Sequence, residues 1–152
     1  MDRPAPSPLD AHVGYWLRFV SNHVSRGFRR EVEACGVTVA EWVALRELYD
    51  LGRTSPCALV AAMGMTKGAV SKLVDRLVGK GLATREARAD DRRAHELELT
   101  AVGRALVPRL AELADANDRA CFGHMPRAAR DELVRTLRQL ALHHDWTTVP
   151  VD

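Results

Sequence analysis

Two short helices joined by about three residues that include a glycine are the feature that most constrains how this chain folds. Ser55 followed by Pro56 predicts the N-cap and first turn of one helix, and Gly64 predicts its end. Thr66 then predicts the N-cap of the next helix, over residues 66–80. So short a connection is typical of a helix-turn-helix. The second helix buries one apolar side, formed by Val70, Leu73, Val74 and Leu77.

A β-hairpin is predicted directly after this pair of helices. Gly81 ends the second helix, and residues 82–99 follow as two strands around a charged loop at 88–93. In the return strand, Leu97 and Leu99 alternate with glutamates, which indicates one buried and one solvated face. A helix-turn-helix followed by such a hairpin is a winged helix-turn-helix.

Long helices flank this lobe on both sides. Residues 9–35 carry two neighbouring apolar stripes, and a helix apolar over so much of its girth is buried on two sides, which indicates a partner subunit. Thr38 and Glu41 form a capping box that opens the next helix. Residues 101–146 repeat leucine and valine at helical spacing, with Pro108 expected to kink the first of two helices.

The predicted fold class is therefore mainly α (α+β), a winged helix-turn-helix lobe between long helices that form a dimerisation region. The predicted division of the chain is a disordered tail at 1–8, a dimerisation helix at 9–35, a DNA-binding lobe at 36–100, dimerisation helices at 101–146 and a loose tail at 147–152.

Positive charge is concentrated in one part of the chain. Residues 66–95 hold eight Lys or Arg and four Asp or Glu, although the net charge of the whole chain is only +2. The rest of the chain is therefore slightly acidic. A basic stretch of this kind favours a surface that faces a polyanion such as nucleic acid.

The residues of this stretch resemble the MarR family of bacterial transcriptional regulators. The resemblance is sharpest over residues 55–104. It is carried by the helix that runs from Met65 to Leu77, by Lys80-Gly81-Leu82, by Asp91-Arg92-Arg93 and by Leu99-Thr100 with Gly103. The resemblance implies a homodimer, joined by its first, fifth and sixth helices, that binds a pseudo-palindromic double-stranded DNA operator and acts as a repressor released by a small molecule.

Residues 66–80 are then the recognition helix, whose N-terminal part enters the major groove, and residues 82–99 are the wing. Gly68 lets the backbone approach DNA closely, Lys72 is expected at a guanine and Arg76 at a phosphate. By resemblance, Arg93 enters the minor groove and Asp91 supports the wing by a hydrogen bond or ion pair. The side chains expected at DNA are Thr66, Lys67, Gly68, Ser71, Lys72, Arg76, Arg88, Arg92 and Arg93.

Effectors of the family, often phenolic or aromatic carboxylates, bind between the dimerisation helices and the DNA-binding lobe. Aromatic walls with a few polar groups suit a planar anion. The residues predicted to line such a pocket are His12, Tyr15, Trp16, Phe19, His23 and Trp42. Burial of the same stripe as plain dimer core is the alternative.

The cysteines and histidines suggest two other kinds of regulation, redox sensing and metal sensing. Cys57, near a helix N-terminus, is the best placed of Cys35, Cys57 and Cys121 for redox sensing. A metal site is not expected, because the fifth helix has no histidine. The remaining alternative is an architectural or protein-interaction module without an effector.

Several classes of protein are not expected. The sequence shows no phosphate-binding glycine loop, nucleophile elbow or metal motif, so neither an enzyme nor a bound cofactor is predicted. No apolar run has the length of a membrane span, and the N-terminus lacks the apolar segment of a signal peptide. The predicted location is the cytoplasm.

Overall fold

The computed structural model describes residues 5–147 as six α-helices and one two-stranded sheet. A 3-10 turn, Leu9–Ala11, precedes α1. The helices are α1 Val13–Ala34, α2 Val39–Leu51, α3 Pro56–Met63, α4 Lys67–Gly79, α5 Ala101–Phe122 and α6 Arg127–His143, and the strands are β1 Ala83–Ala87 and β2 His95–Leu99. This order is that of a winged helix-turn-helix between long helices, so the predicted fold class is confirmed.

The helix boundaries follow from local capping. Thr38 accepts a hydrogen bond from the amide of Glu41 at 3.1 Å, and the Glu41 carboxylate accepts one from the amide of Thr38 at 2.9 Å, which completes the predicted capping box. Ser55 caps α3, and Gly64 ends it in the left-handed conformation with φ 61°. Helices α3 and α4 meet with a bend of 111°, within the range of a helix-turn-helix.

The long N-terminal helix begins later than predicted. Residues 9–11 form the 3-10 turn, and His12 is extended, with φ −98° and ψ 125°, so α1 starts at Val13. The His12 ring bonds to the carbonyl of Pro8 at 3.1 Å, and the indole of Trp16 donates to the carbonyl of Asp10 at 2.9 Å. These bonds close the turn onto the first turn of α1 and prevent the helix from extending backwards.

The predicted tails lie largely outside the part of the chain that the structure describes. Of the tail predicted at 1–8, only residues 5–8 are described, and they form no regular element. Of the tail predicted at 147–152, only residue 147 is described. Helix α5 runs through Pro108 without interruption.

The hydrophobic core lies mainly in the winged helix-turn-helix, with Val32 of α1 and Val107 and Leu110 of α5 added to it. It joins the inner faces of α2, α3 and α4 to the sheet and the first half of α5, with Leu45, Leu48, Leu59, Leu77 and Leu97 among its fully buried side chains. Strands β1 and β2 pair antiparallel from Ala83↔Leu99 to Ala87↔His95, and an isolated antiparallel bridge joins Thr54 to Leu97. The recognition helix and the wing are therefore fixed to the same core.

The base of the wing is joined to the start of α5 at a close contact. The Leu82 carbonyl accepts a hydrogen bond from the amide of Thr100 at 3.0 Å, and the Thr100 hydroxyl donates to the carbonyl of Gly81 at 2.7 Å. A Cβ atom on Gly103 would lie 2.0 Å from the Leu82 carbonyl oxygen. Only glycine at position 103 allows α5 to begin this close to the hairpin.

The outer helices are poorly covered. Helix α6 has no buried residue, and the leucines and valine that form its apolar stripe are exposed. The chain exposes 11331 Å² of surface, whereas a compact monomer of 16.8 kDa would expose about 7,700 Å².

Among residues 5–147 no single helix is long and apolar enough to cross a membrane; one bent pair, α3 with α4, meets the criteria of length and composition together.

Glu41 is buried at 1% exposure and pairs with Lys80, whose Nζ lies 2.7 Å from the carboxylate and also donates to the Gly36 carbonyl at 2.8 Å. Burial raises the pKa of Glu41, but the hydrogen bonds from Lys80 and Thr38 and the nearby positive charges outweigh it and hold the pKa below its ordinary value. Lys80 therefore joins the end of the recognition helix to the start of α2.

We expect Lys80→Met to lower the free energy of unfolding by about 3 kcal/mol, because it leaves a buried carboxylate unpaired. Glu41→Gln should cost about 1 kcal/mol, because the amide keeps the capping hydrogen bond and the Lys80 ammonium can turn to water. Urea unfolding at one fixed protein concentration measures both. Equal losses would contradict the buried-charge explanation.

The same pair sets a pH dependence. Because the pKa of Glu41 is lowered on folding, its contribution is complete above the unfolded-chain pKa of about 4.3 and is lost as pH falls through the folded pKa. The parent protein should therefore lose more stability than Glu41→Gln as the pH is lowered from about 6 to about 3.

Candidate nucleic-acid interface

The exposed face of α4 carries the residues expected at the major groove. Thr66 is the N-cap, and its hydroxyl oxygen accepts from the amide of Ala69 at 3.2 Å, which leaves its O–H free to donate outward. Because α4 buries its apolar side in the core, its polar side points away from the lobe. The exposed predicted residues on this side are Thr66, Lys67, Gly68, Ser71, Lys72 and Arg76.

The tip of the wing is held by hydrogen bonds around Asp91. The Asp91 carboxylate accepts from the amide of Arg93 at 3.0 Å, and the Asp91 carbonyl accepts from the amide of Ala94 at 3.1 Å. The amide of Arg88 donates to the Ala94 carbonyl at 2.9 Å and closes the loop. Of the two kinds of support considered for Asp91, the structure contains the hydrogen bond.

Arg88 is engaged within the wing. Its guanidinium binds both carboxylate oxygens of Asp90, at 2.9 and 2.7 Å, and this hydrogen bonding raises the pKa of Arg88 and lowers that of Asp90. Arg88 was predicted as a DNA contact together with Arg92 and Arg93. Here its charge is compensated locally, so the wing presents the other two arginines.

Ion pairs sort the eight cations of residues 66–95 into two groups. Lys80 pairs with Glu41, Arg85 with Asp75 at 2.8 Å, and Arg88 with Asp90. Of these eight cations, the five that form no salt bridge within the described part of the chain are Lys67, Lys72, Arg76, Arg92 and Arg93, and all five are exposed. They lie on α4 and on the wing tip, the two elements that a winged helix places at the major and minor grooves.

Two of these ion pairs were not anticipated from the sequence. The Arg85–Asp75 pair joins β1 to the recognition helix, and the Lys80–Glu41 pair joins the end of that helix to α2. The capping box marked Glu41 as a local partner only. A pairing across 39 residues has no local sequence signal, because it depends on how the helices pack.

Comparisons with known proteins agree with this geometry. Residues 36–94 match the sequence profile of the MarR family, which spans the lobe that carries α4 and most of the wing. The solved structure of BpsR from Bordetella bronchiseptica superposes with a TM-score of 0.79 at 28% identity, covering 90% of this chain and 98% of that one. The chain is therefore similar to MarR-family proteins over its winged helix-turn-helix, residues 36–94.

Two further relatives accompany this similarity. A protein of Thauera aromatica, assigned as a transcriptional regulator of the hcr operon, is 27% identical over 133 residues, or 87% of this chain and 80% of that protein. A variant of MarR from E. coli in complex with operator DNA has the same fold, with a TM-score of 0.76 at 20% identity over 84% of this chain and 92% of that one. MarR-family proteins are transcriptional regulators, and neither the family nor the fold is enzymatic.

The residues predicted for an effector pocket fall into three places. Tyr15, Trp16, Phe19 and His23 form a continuous aromatic ladder along α1, with ring centroids 4.5 to 6.0 Å apart. His12 lies before α1, where its ring caps the 3-10 turn. Trp42 instead packs from α2 against the core of the lobe.

A cavity of about 290 Å³ lies beside the C-terminal half of α1. Its described lining residues are Asn22, His23, Ser25, Arg26 and Arg29, so His23 is the member of the predicted set that reaches it. The aromatic ladder therefore continues directly into a polar and basic recess. The sequence pattern had marked the aromatic residues but not Arg26 and Arg29.

The cysteines and the possible metal ligands bear on the alternative kinds of regulation. Cys57 is exposed near the N-terminus of α3, Cys35 and Cys121 are half-buried, and all three are free thiols. In residues 5–147 no group of three or more His, Cys, Asp or Glu side chains converges in a way that could hold a metal ion.

Gly68 offers a test of the interface that separates DNA contact from stability. It lies in the first turn of α4 with no atom within 4 Å of a built Cβ, so alanine fits the isolated protein and should stabilise it by about 0.5–1 kcal/mol. We expect Gly68→Ala to weaken DNA binding about tenfold, or about 1.4 kcal/mol, because the added methyl group separates the helix from DNA.

Gly79→Ala is the matched control, because Gly79 lies at the other end of the same helix and is equally open. It should leave DNA affinity unchanged in an electrophoretic mobility shift. Unchanged affinity for Gly68→Ala would contradict the close approach of the helix backbone to DNA.

Proposed function

We propose that this protein is a regulator of the MarR family, a homodimeric repressor that binds a pseudo-palindromic DNA operator through α4 and the wing and releases it on binding a small aromatic acid. The observation that carries the proposal is the set of five exposed cations on α4 and the wing tip that remain without a carboxylate partner. Phosphates and base edges supply the acceptors that these side chains lack within the described chain.

The homodimer is supported by the exposed apolar faces of the outer helices. Val13, Leu17 and Val20 on α1 are exposed although they form an apolar stripe, and α6 presents a second such stripe. Two-fold symmetry would place two α4 helices about 34–36 Å apart, one turn of DNA.

Selection of bound sequences from a random DNA pool tests the regulator as a whole. We expect an inverted repeat with half-site centres about one helical turn apart, bound by a dimer in sedimentation, with affinity that falls steeply as salt rises. Binding without sequence preference would favour the architectural alternative. Absence of binding at low salt would overturn the DNA-binding proposal and favour a protein-interaction module.

Arg93→Ala tests the wing on the selected operator. We expect a loss of about 1–3 kcal/mol in binding free energy with the fold unchanged, because a guanidinium in the minor groove is lost. Arg127→Ala removes the same charge from α6, outside the DNA-binding lobe, and should have little effect. Equal losses in both variants would assign the effect to net charge rather than to a groove contact.

An aromatic acid is proposed as effector because the ladder and the basic recess are contiguous on α1. Tyr15, Trp16 and Phe19 offer ring faces, and Arg26 and Arg29 beside His23 offer cations for a carboxylate. DNA binding by BpsR, the relative that superposes at 28% identity, is regulated by 6-hydroxynicotinic acid. That compound unites a planar ring with a carboxylate and is a suitable first probe.

We expect 6-hydroxynicotinic acid or a related aromatic carboxylate to release the operator and to change the fluorescence of Trp16, which is 49% exposed in the single chain. Arg26→Gln should weaken this release while leaving DNA affinity without effector unchanged. Sedimentation of Trp16→Ala is the control for the competing role. A monomeric variant would assign the ladder to the dimer core instead.

A further inference from the structure

Arg53 lies between α2 and α3 and reaches three carboxylates of the wing. Its Nε lies 3.2 Å from Glu96 and 3.5 Å from Glu98, and its terminal nitrogen lies 3.7 Å from Glu86. No other cation in residues 5–147 forms ion pairs with more than one acid. Neither the capping pattern nor the basic stretch of residues 66–95 marks this residue.

The three glutamates share the outer face of the hairpin. Leu97 and Leu99 are buried on the inner face, so Glu96 and Glu98 alternate onto the outer one. Glu86 stands directly opposite Glu96 in the strand register. Like charges directly across an antiparallel pair are destabilising, so this face would repel itself without a cation.

The backbone carries Arg53 to this face. Thr54 donates to the Leu97 carbonyl at 2.9 Å and accepts from the Leu97 amide at 2.7 Å, which adds the segment before α3 to the edge of β2. Arg53, one residue earlier, is thereby placed beside the glutamates that flank Leu97. Two backbone hydrogen bonds and three ion pairs together fasten the wing to the helix-turn-helix.

The position of this attachment along the hairpin gives it a consequence at the tip. The Glu86↔Glu96 pair is next to Ala87↔His95, the last pair before the loop that carries Arg92 and Arg93. Beyond it, the described hydrogen bonds that order the loop are the Arg88–Ala94 contact, the Arg88–Asp90 side-chain pair and the Asp91 turn, all within the loop itself. The orientation of the loop therefore depends on how firmly the last strand pairs are held.

We propose that Arg53 is a positioning residue for the wing: by pairing with Glu86, Glu96 and Glu98 at once it reduces their mutual repulsion, holds the hairpin against the helix-turn-helix and presents Arg93 to DNA. The inference rests on the proposed function, in which Arg93 contacts the minor groove. Arg53 itself contacts no DNA in this arrangement. A single exposed ion pair contributes little, but one guanidinium shared by three acids removes several repulsions at once.

The first test needs no DNA. Hydrogen exchange of the amides of Arg88 and Ala94, at the base of the wing loop, is compared in the parent, Arg53→Gln and Arg46→Gln. Arg46 is the matched control, because its ion pair is with Asp50 on the same helix and does not touch the wing. We expect faster exchange in Arg53→Gln alone. Unchanged exchange in that variant overturns the positioning role.

The second test is a double-mutant cycle on the selected operator, with Arg53→Gln, Arg93→Ala and the pair. We expect Arg53→Gln to weaken DNA binding about two- to tenfold. Arg93→Ala should then cost less binding free energy in the Arg53→Gln background than in the parent, because Arg93 on a misoriented wing already contacts DNA poorly. A parallel cycle with Lys72→Ala, on α4, should be additive.

The outcomes separate this inference from the proposed function. If Arg93→Ala does not weaken binding, the wing contact itself is wrong, and the role of Arg53 falls with it. If Arg93→Ala weakens binding but its loss is simply additive with that of Arg53→Gln, the proposed function stands and Arg53 is an independent charge. Coupling to Arg93 together with faster loop exchange supports the positioning role.

Discussion

The contact between the base of the hairpin and the start of α5 is the constraint on which the rest of the molecule depends. The Leu82 carbonyl, the Thr100 hydroxyl and the bare Cα of Gly103 meet where the recognition helix gives way to the wing and the wing gives way to the dimerisation helices. Any side chain at position 103 would force these parts away from each other. The motifs Lys-Gly-Leu and Leu-Thr-x-x-Gly, which are separate in sequence, therefore contact each other and form a single structural contact.

Only some of the cations of the basic stretch are available to bind a ligand. Lys80, Arg85 and Arg88 form ion pairs with buried or nearby carboxylates, and these pairs stabilise the packing of the elements that they join. The cations left over lie on the groove-facing elements. A basic stretch thus contains both structural and DNA-facing charges, and only the ion-pair geometry separates them. The glutamates on the outer face of the wing are likewise paired within the molecule, because Arg53 reaches them from the segment between α2 and α3.

The apolar faces of the outer helices α1 and α6 are exposed in the single chain. An aromatic ladder on α1 and an apolar stripe on α6 have no covering partner within the described chain, and in the proposed homodimer a second copy related by two-fold symmetry would cover the stripe of α6. The ladder runs into a basic recess, so one surface combines features of a dimer contact with features of an anion site. A regulator that couples effector binding to the spacing of its two α4 helices needs this closeness of the two roles.

Much of the fold was predictable because its signals are local. The capping residues Thr38, Ser55, Thr66 and Thr100 and the terminating Gly64 act within one helical turn, so the sequence alone determined where α2, α3, α4 and α5 begin. It also determined the hairpin, through the alternation of Leu97 and Leu99 with glutamates, and the resemblance to the MarR family over the lobe. The start of α1 was misplaced because the bonds from His12 and Trp16 back to the preceding turn oppose the helical pattern.

Only the tertiary structure decided which charges are free. Lys80 reaches Glu41 across 39 residues, and Arg53 meets three wing glutamates that lie 33 to 45 positions away. It likewise separated Trp42, which packs into the lobe, from the ladder on α1. The physical reason is the same in each case. Capping and periodicity act between near neighbours in sequence, whereas the partner of a charge or an aromatic ring is set by how distant elements pack.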